Sequence, residues 1–380
     1  MDFLLSEEQE MIIDEARKFA REKLEPMVEE LDAKGEVNMA ALKELGQLGY
    51  MGMSVPEEYG GADLGIVAYA GAMVELSKAD PGASVAVSVQ NSLVNDAIVK
   101  FGTEEQKKEY LPKLAAGEWI GCFSLTEANS GSDPGSLRAG AVKDGDSYIL
   151  NGTKNFTTSG GFADVIIVFA QTDKDKGAKG ISAFLIKSDT PGFKVGKHEN
   201  KMGIRTSSTT EMVFTDCKVP ASALLGEENK GLKIALSTLD GGRIGIAAQA
   251  IGIAEAALEE AIKYSKERVQ FGQPIAENQG LQFMMADMAT EIEVAKTFLY
   301  RVAWMKESGH KNFTKQAAML KLYASEMSHR CVHKSLQIHG GYGMMKEYKI
   351  ERLYRDQRIT EIYEGTSEIQ RFVIARKILA

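Results

Sequence analysis

One carboxylate set into a helix break offers the most pointed chemistry in this chain. In the run Arg355-Asp356-Gln357-Arg358-Ile359-Thr360-Glu361-Ile362-Tyr363-Glu364-Gly365-Thr366-Ser367-Glu368-Ile369-Gln370, Glu364 stands between an aromatic residue and a glycine that interrupts the helical pattern. Thr366 and Ser367, with Gln370 three beyond Ser367, read as the start of the next helix. Such a break can aim a side chain into a cavity. An aromatic neighbour limits its solvation, which raises a carboxylate's pKa toward the range useful to a general base. The same residues also describe a solvated glutamate ahead of a helix cap, so the pattern alone leaves both roles open.

Other stretches could hold a ligand. Phe123-Ser124-Leu125-Thr126-Glu127-Ala128-Asn129-Ser130-Gly131-Ser132-Asp133 packs hydroxyls and backbone donors into a loop with apolar flanks. It could satisfy the polar edge of a flat ring, with Gly131 permitting close approach, or be an ordinary loop. Lys154-Asn155-Phe156-Thr157-Thr158-Ser159-Gly160 reads by itself as a threonine-rich strand edge. Leu239-Asp240-Gly241-Gly242-Arg243, at the opening of a long helix, could hold a pantetheine or nucleotide moiety against bare backbone, or simply cap that helix. In Arg268-Val269-Gln270-Phe271-Gly272 the guanidinium can pair bidentately with a pyrophosphate, and Gly340-Gly341 in Gln337-Ile338-His339-Gly340-Gly341 expose backbone donors. Alone, these are a surface helix residue and a turn. His339 has no nucleophile to pair with and reads as structural.

The elements that must position these residues fall into three textures. Up to Ala116 the chain is mostly helical: Ser6-x-x-Gln9 and Thr103-x-x-Gln106 fit capping boxes, and Leu5, Ile12, Ala16 and Phe19 approximate one face. Pro56-Glu57-Glu58-Tyr59-Gly60-Gly61 is a turn, and the apolar Gly65–Leu76 stretch is too short to span a bilayer and reads as a buried helix. From Gly117 to about Glu228 short β-like runs follow one another: 148–150, 165–170, 181–186 and 212–214. Asn151-Gly152, Gly160-Gly161, Gly177 and Pro191-Gly192 punctuate them, predicting an antiparallel β-domain. From Gly231 the helical period returns, with Ile244, Ala248, Ile251, Leu258 and Ile262 on one face. Met285, Met288, Ile292, Ala295, Leu299 and Val302 share another, which predicts a bundle.

Composition bounds the rest. The 380 residues are 44% hydrophobic and 26% charged, ordinary for a soluble globular protein with a large core. Acidic residues outnumber basic ones, 53 to 45, for a net charge of −8, which argues against a nucleic-acid partner. Cys122, Cys217 and Cys331 are widely spaced, so no disulfide framework and no metal site is expected, and a reducing cytoplasm is the simplest setting. The Met1–Gln9 segment leads directly into a helix signal with no leader pattern. No G-x-G-x-x-G occurs, which disfavours a nicotinamide-binding Rossmann domain.

Ile362–Gln370 resembles the C-terminal motif of acyl-CoA dehydrogenases, particularly short-chain (butyryl-CoA) ones, and Phe123–Asp133 resembles the same family. The resemblance runs from Asp2 to Ala380 with every landmark in order. It implies an α+β chain of an N-terminal helical domain (1–116), a central antiparallel β-domain (117–228) and a C-terminal four-helix bundle (229–380). It also implies FAD as cofactor and Glu364 as the base that removes the α-proton of an acyl-CoA thioester while the β-hydrogen leaves as hydride, giving trans-2-enoyl-CoA.

By the same resemblance, Phe123, Leu125, Thr126, Gly131 and Ser132 contact the flavin, as do Phe156, Thr157 and Thr158, where the aromatic covers the ring. Ser124, Asn155 and Thr157 are more polar than the family's usual residues there. Arg268, Phe271, Gln279, Gln337, Ile338, His339, Gly340 and Gly341 bind the adenosine-diphosphate half of a neighbouring subunit's FAD, which implies a homotetramer, a dimer of dimers. Thr366, Ser367 and Glu368 carry over as flavin contacts. Ser132, Asp240, Gly241, Gly242, Arg243 and Gly365 carry over as substrate contacts. Isovaleryl-type relatives carry their base at the place of Gly242; its absence there leaves Glu364. Ser84 stands where glutaryl-type relatives carry an arginine, which argues against a dicarboxylate. The implied electron acceptor is an electron-transfer flavoprotein. A branched or cyclic acyl group, an oxygen-using oxidase and a non-catalytic acyl-CoA or flavin binding protein are the alternatives.

Overall fold

The computed structural model describes residues 5–311 and 313–379; the first four residues of the N-terminal helix signal and Ala380 lie outside them. Ser6 opens α1 (Glu7–Phe19) by accepting from Gln9 N while the Gln9 side chain accepts the Ser6 N–H. Thr103 and Gln106 open α7 (Glu104–Ala115) in the same reciprocal way. Both capping boxes expected from sequence therefore form. Between them lie α2 (Glu25–Lys34), α3 (Met39–Gln47), α4 (Gly65–Ala79) and α5 (Pro81–Val89), which continues through a π-helical stretch into α6 (Asp96–Phe101). α4 is buried on nearly every side, as its apolar sequence demands. Among the described residues no helix is long and apolar enough to cross a membrane.

The strands are β1 (Gly121–Ser124), β2 (Gly140–Asp144), β3 (Ser147–Thr158), β4 (Val165–Gln171), β5 (Ile181–Lys187), β6 (Phe193–His198), β7 (Thr209–Pro220) and β8 (Leu224–Leu225). They run in the order β6-β7-β3-β2-β4-β5-β8, with β1 beside β4. The sheet is antiparallel as expected except at β1, which pairs parallel to β4 from Gly121↔Val165 to Ser124↔Val168, and at one parallel pair between β2 and β4. A hairpin can deliver only an antiparallel neighbour, but residues 125–164 separate β1 from β4 and let the chain return in the same direction. Asn151-Gly152 is not a turn. It is a bulge inside β3, where the Asn151 side chain exchanges two hydrogen bonds with Asp216 of β7.

The C-terminal part holds α8 (Gly231–Glu267), a two-stranded hairpin of β9 (Val269–Gln270) and β10 (Gln273–Pro274), α9 (Gln279–Glu307), α10 (Phe313–His339), α11 (Lys349–Gln357) and α12 (Ser367–Leu379). On α8, Ile244, Ala248 and Ile251 are fully buried, whereas Ile262 is 36% exposed, so that stripe leaves the core before the helix ends. Met288, Ile292, Ala295, Leu299 and Val302 of α9 are buried as their spacing predicts. These stripes do not close on themselves. One hydrophobic cluster joins Met73 of α4, Ile251 of α8, Leu299 of α9 and Ala324 of α10. An all-round apolar helix such as α4 must be covered on every side, so the N-terminal helices and the bundle share a core.

Candidate active site

After α11 the chain makes one 3₁₀ turn, Arg358–Glu361, and then breaks: Glu364 has φ +53° and Gly365 has φ +95°. The left-handed region costs a non-glycine residue about 1–2 kcal/mol, so this conformation must be held from outside. The Gln370 amide donates to Glu364 O (3.3 Å) and Gly365 O (2.9 Å) from the first turn of α12. Lys321 Nζ, from α10, donates to Gly365 O at 2.8 Å. The helix start differs by one residue from the sequence reading. Thr366 is the cap, its Oγ1 accepting from Ile369 N at 3.3 Å, while Ser367 Oγ is buried with no hydrogen-bond partner among the described residues. The break's carbonyls need donors, and Gln370 serves them instead of closing a capping box with Ser367.

The carboxylate points at bare backbone. Part of the residue reaches the surface, but Glu364 Oε2 is sealed from solvent and has no hydrogen-bond partner among the described residues. It fills the notch where Gly242 lacks a Cβ; any side chain there would collide with Oε2 and approach Leu93 to 3.0 Å. Burial raises the Glu364 pKa to about 7, against the downward pull of the Lys321 ammonium and the Arg243 guanidinium. Arg243 is itself buried, ion-paired to Asp240 at 2.5 Å, and the other Asp240 oxygen accepts from Thr314 at 2.6 Å. The structure thus joins the 240–243 segment to the base, though not as a helix opening. α8 begins at Gly231, so both glycines sit inside it, where each costs about 1 kcal/mol relative to alanine. Gly242 gives room to the carboxylate, and a Cβ at Gly241 would lie 2.6 Å from the Lys306 ammonium and displace it. Gly242→Ala is therefore expected to improve helix propensity yet displace the carboxylate, slowing substrate-driven flavin reduction about 10²-fold in stopped-flow traces; an unchanged rate would show that the notch is not used.

One helical turn further along α8, the space at Gly245 is taken by Ser88 Oγ and the Tyr69 hydroxyl, which bond each other at 3.1 Å. The Tyr363 hydroxyl donates to Gln249 Oε1, and the Gln249 amide in turn donates to Pro81 O at 2.7 Å.

The two stretches expected to contact a flavin come together. Asn155 N donates to Thr126 O (2.7 Å), and Lys154 Nζ donates to Leu125 O (3.1 Å) and Glu127 Oε1 (2.8 Å). The Glu127 carboxylate also accepts from Arg138 N (2.7 Å) and Ala139 N (2.9 Å). This buried ion pair pins the 123–133 loop to β3, and Phe123 packs on Phe169 at 4.8 Å between centroids. Gly131 and Ser132 are exposed at the loop's outer side. Phe156, with φ +57° at a register shift between β3 and β7, is thrown outward and 62% exposed. Thr158 is half-buried. Thr157 departs from its expected role: its side chain is buried and bonded to Ser124 Oγ at 3.0 Å, leaving only its backbone for a ligand. Two residues more polar than the family's usual ones thus satisfy each other, and Asn155 bonds Glu211 at 3.2 Å.

A separate surface cleft of about 580 Å³ gathers Arg268, Ile338, His339, Gly340 and Gly341. His339 is buried, donates from Nδ1 to Ser335 O (2.8 Å) and stacks on Tyr264 at 4.4 Å, so its ring is structural and burial lowers its pKa. The Arg268 guanidinium lies 5.4 Å over Tyr342. Phe271, at the tip of the β9–β10 hairpin with φ +52°, is fully exposed, and Gln279 of α9 and Gln337 of α10 are exposed. Glu368 is exposed on α12. Among the described residues no group of His, Cys, Asp and Glu side chains could hold a metal ion.

Sequence reasoning missed Lys321 and the Lys154–Glu127 pair. The signal for Lys321 was available: it interrupts the apolar face formed by Ala317, Leu320, Ala324 and Met327, where an unpaired lysine is almost never found. Lys154 alternates with strand residues and carried no comparable mark.

Comparisons with known proteins agree with this geometry. The N-terminal, middle and C-terminal domain families of acyl-CoA dehydrogenase match residues 6–118, 122–217 and 229–379. A short-chain specific acyl-CoA dehydrogenase of Clostridium acetobutylicum is 49% identical over 378 residues, covering 100% of both chains. The solved butyryl-CoA dehydrogenase of Megasphaera elsdenii superposes with a TM-score of 0.98 at 47% identity, covering 100% of both chains. A solved chain from work on the electron transferring flavoprotein of Acidaminococcus fermentans gives 0.98 at 49% identity, again covering 100% of both chains. The chain belongs to the acyl-CoA dehydrogenase family of oxidoreductases.

Proposed function

We propose that this chain carries out α,β-dehydrogenation of a short-chain acyl-CoA thioester to the trans-2-enoyl-CoA, with FAD as cofactor and Glu364 as base. The observation that carries the reading is Glu364 Oε2, sealed from water, without a hydrogen-bond partner among the described residues and seated in the notch of Gly242. A thioester α-proton is a weak acid, so its removal needs a base of raised pKa in a dry site and stabilisation of the developing enolate charge. Glu364, at about 7, meets the first need. The cations of Lys321 and Arg243 beside it favour its ionised, proton-accepting form at neutral pH. FAD, when bound, supplies the acceptor for the β-hydrogen as hydride.

The residues present fit that group. An aromatic held outward at a strained position, Phe156, needs a flat apolar cover, and the Thr126 and Thr158 region beside it offers polar contacts. The Arg268 cleft suits a pyrophosphate, and the fully exposed Phe271 next to it favours completion of the cofactor site by a second subunit, in keeping with a homotetramer. Asp240 and Arg243, on the substrate side, suit the pantetheine of CoA. An electron-transfer flavoprotein is the proposed acceptor, and the cytoplasm, where the three buried thiols stay reduced, the proposed setting.

The acyl length follows from α8. Glu364 lies on Gly242 and the Tyr69–Ser88 pair on Gly245. Three residues of helix rise about 4.5 Å, so an acyl tail running along α8 from Glu364 to that pair spans two or three carbons beyond the α-carbon. Ser84, where a dicarboxylate would need a cation, is buried and bonded to Pro81 O and Ser77. Turnover of purified protein should therefore be highest with butyryl-CoA and fall at least about tenfold by octanoyl-CoA, since each buried methylene that cannot be accommodated forfeits about 0.8 kcal/mol and adds a clash. Equal or greater turnover with the longer substrate would reject the short-chain assignment.

A further inference from the structure

Lys321 has no solvent exposure, lies on the core face of α10 and donates to Gly365 O at 2.8 Å. We propose that Lys321 is a positioning residue for the base, one whose ammonium both clamps the Glu364–Gly365 peptide in its left-handed conformation and keeps the neighbouring carboxyl able to ionise at neutral pH. This rests on the reading of Glu364 as the base.

A hydrogen bond alone does not account for a lysine here. Gln370 already donates to the same carbonyl oxygen, and a neutral side chain could supply the second donor without burying an ammonium. Charge is what only a cation adds. Glu364 from the break, Glu361 from the 3₁₀ turn, Glu368 from α12 and Arg243 from α8 all act on Lys321. Of these carboxylates, Glu361 is ion-paired to Arg358, and Glu368 is exposed. On the other side, Glu364 feels two cations, Lys321 and Arg243, and Arg243 is already ion-paired to Asp240. Among the described residues Lys321 makes no ion pair of its own, so its charge is left to act on Glu364. Burial drives the two groups toward neutrality from opposite sides, Lys321 down to about 8 and Glu364 up to about 7, and their mutual attraction opposes both shifts.

The test reads the carboxyl directly. Infrared titration of the protonated carboxyl band, assigned by its loss in Glu364→Gln, follows the Glu364 proton with no substrate present. Lys321→Met is expected to move the midpoint upward by about one unit or more, a tenfold or greater loss of the ionised form below neutrality, while Lys321→Arg stays close to the parent. Should Lys321→Met fail to fold, Lys321→Gln keeps a donor and removes the charge, with the same expected shift. A midpoint unmoved in either neutral variant overturns the proposal. If no acyl-CoA reduces the parent's flavin, yet the neutral variants show the midpoint shift, the dehydrogenase reading fails and the effect of Lys321 on the carboxyl stands. Normal turnover with an unmoved midpoint does the reverse.

Discussion

Glu364→Gln should still bind flavin and acyl-CoA while its substrate-driven flavin reduction falls about 10⁴-fold, the upper end of what a positioned base contributes. The same substitution should make the protein more stable, and that pairing sets it apart from a structural lesion. The folded-state pKa of Glu364 is raised, to about 7 from 4.5, because burial disfavours the ion. The native state therefore holds its proton more tightly than the unfolded chain. Stability is lost as pH rises from the unfolded value through 7, and the penalty is complete above it. The amide of glutamine carries no charge to bury. Allowing for the part of the residue that reaches solvent, the variant should gain about 2 kcal/mol at pH 8 and little at pH 4, read from urea unfolding. Loss of both activity and stability would point to a supporting role instead.

Lys154→Met is expected to be the most destabilising single change near the cofactor. It removes the cation from a pair whose members are nearly inaccessible to solvent and leaves the Glu127 carboxylate with only two backbone donors. Breaking such a pair from one side costs about 3–5 kcal/mol because the remaining charge stays buried and uncompensated. The loop it releases, 123–133, carries Thr126, so FAD retention on gel filtration should fall along with the unfolding midpoint. Lys154→Met with Glu127→Gln should recover part of the loss, since no ion is then left unpaired. A single variant as stable as the parent would mean that the pair adds nothing to the loop's docking.

These residues show what the sequence could and could not disclose. Caps at Ser6 and Thr103 were legible because their partners lie three residues away and the geometry is local. Short β-branched runs such as 165–170 were legible because strand burial imposes its own composition. At Thr366 and Ser367 the local pattern misled by one residue, since Gln370 answers the carbonyls of a strained break rather than the nearest hydroxyl. Gly241-Gly242 looks like punctuation in sequence and turns out to be space inside a helix, set by Glu364 and Lys306 from distant parts of the chain. The parallel placement of β1, the core shared by α4 and α8, and the partners of Lys154 and Lys321 are all long-range pairings. No window of neighbouring residues contains them.

The most direct measurement of the central claim is the rate of anaerobic, single-turnover flavin reduction by butyryl-CoA across pH 5.5–9, in the parent protein and in Glu364→Gln. A base that must be ionised to accept the α-proton predicts a rate that rises with pH through a midpoint near 7 and is abolished in the variant. A flat profile, or a variant that reduces its flavin at the parental rate, would contradict it.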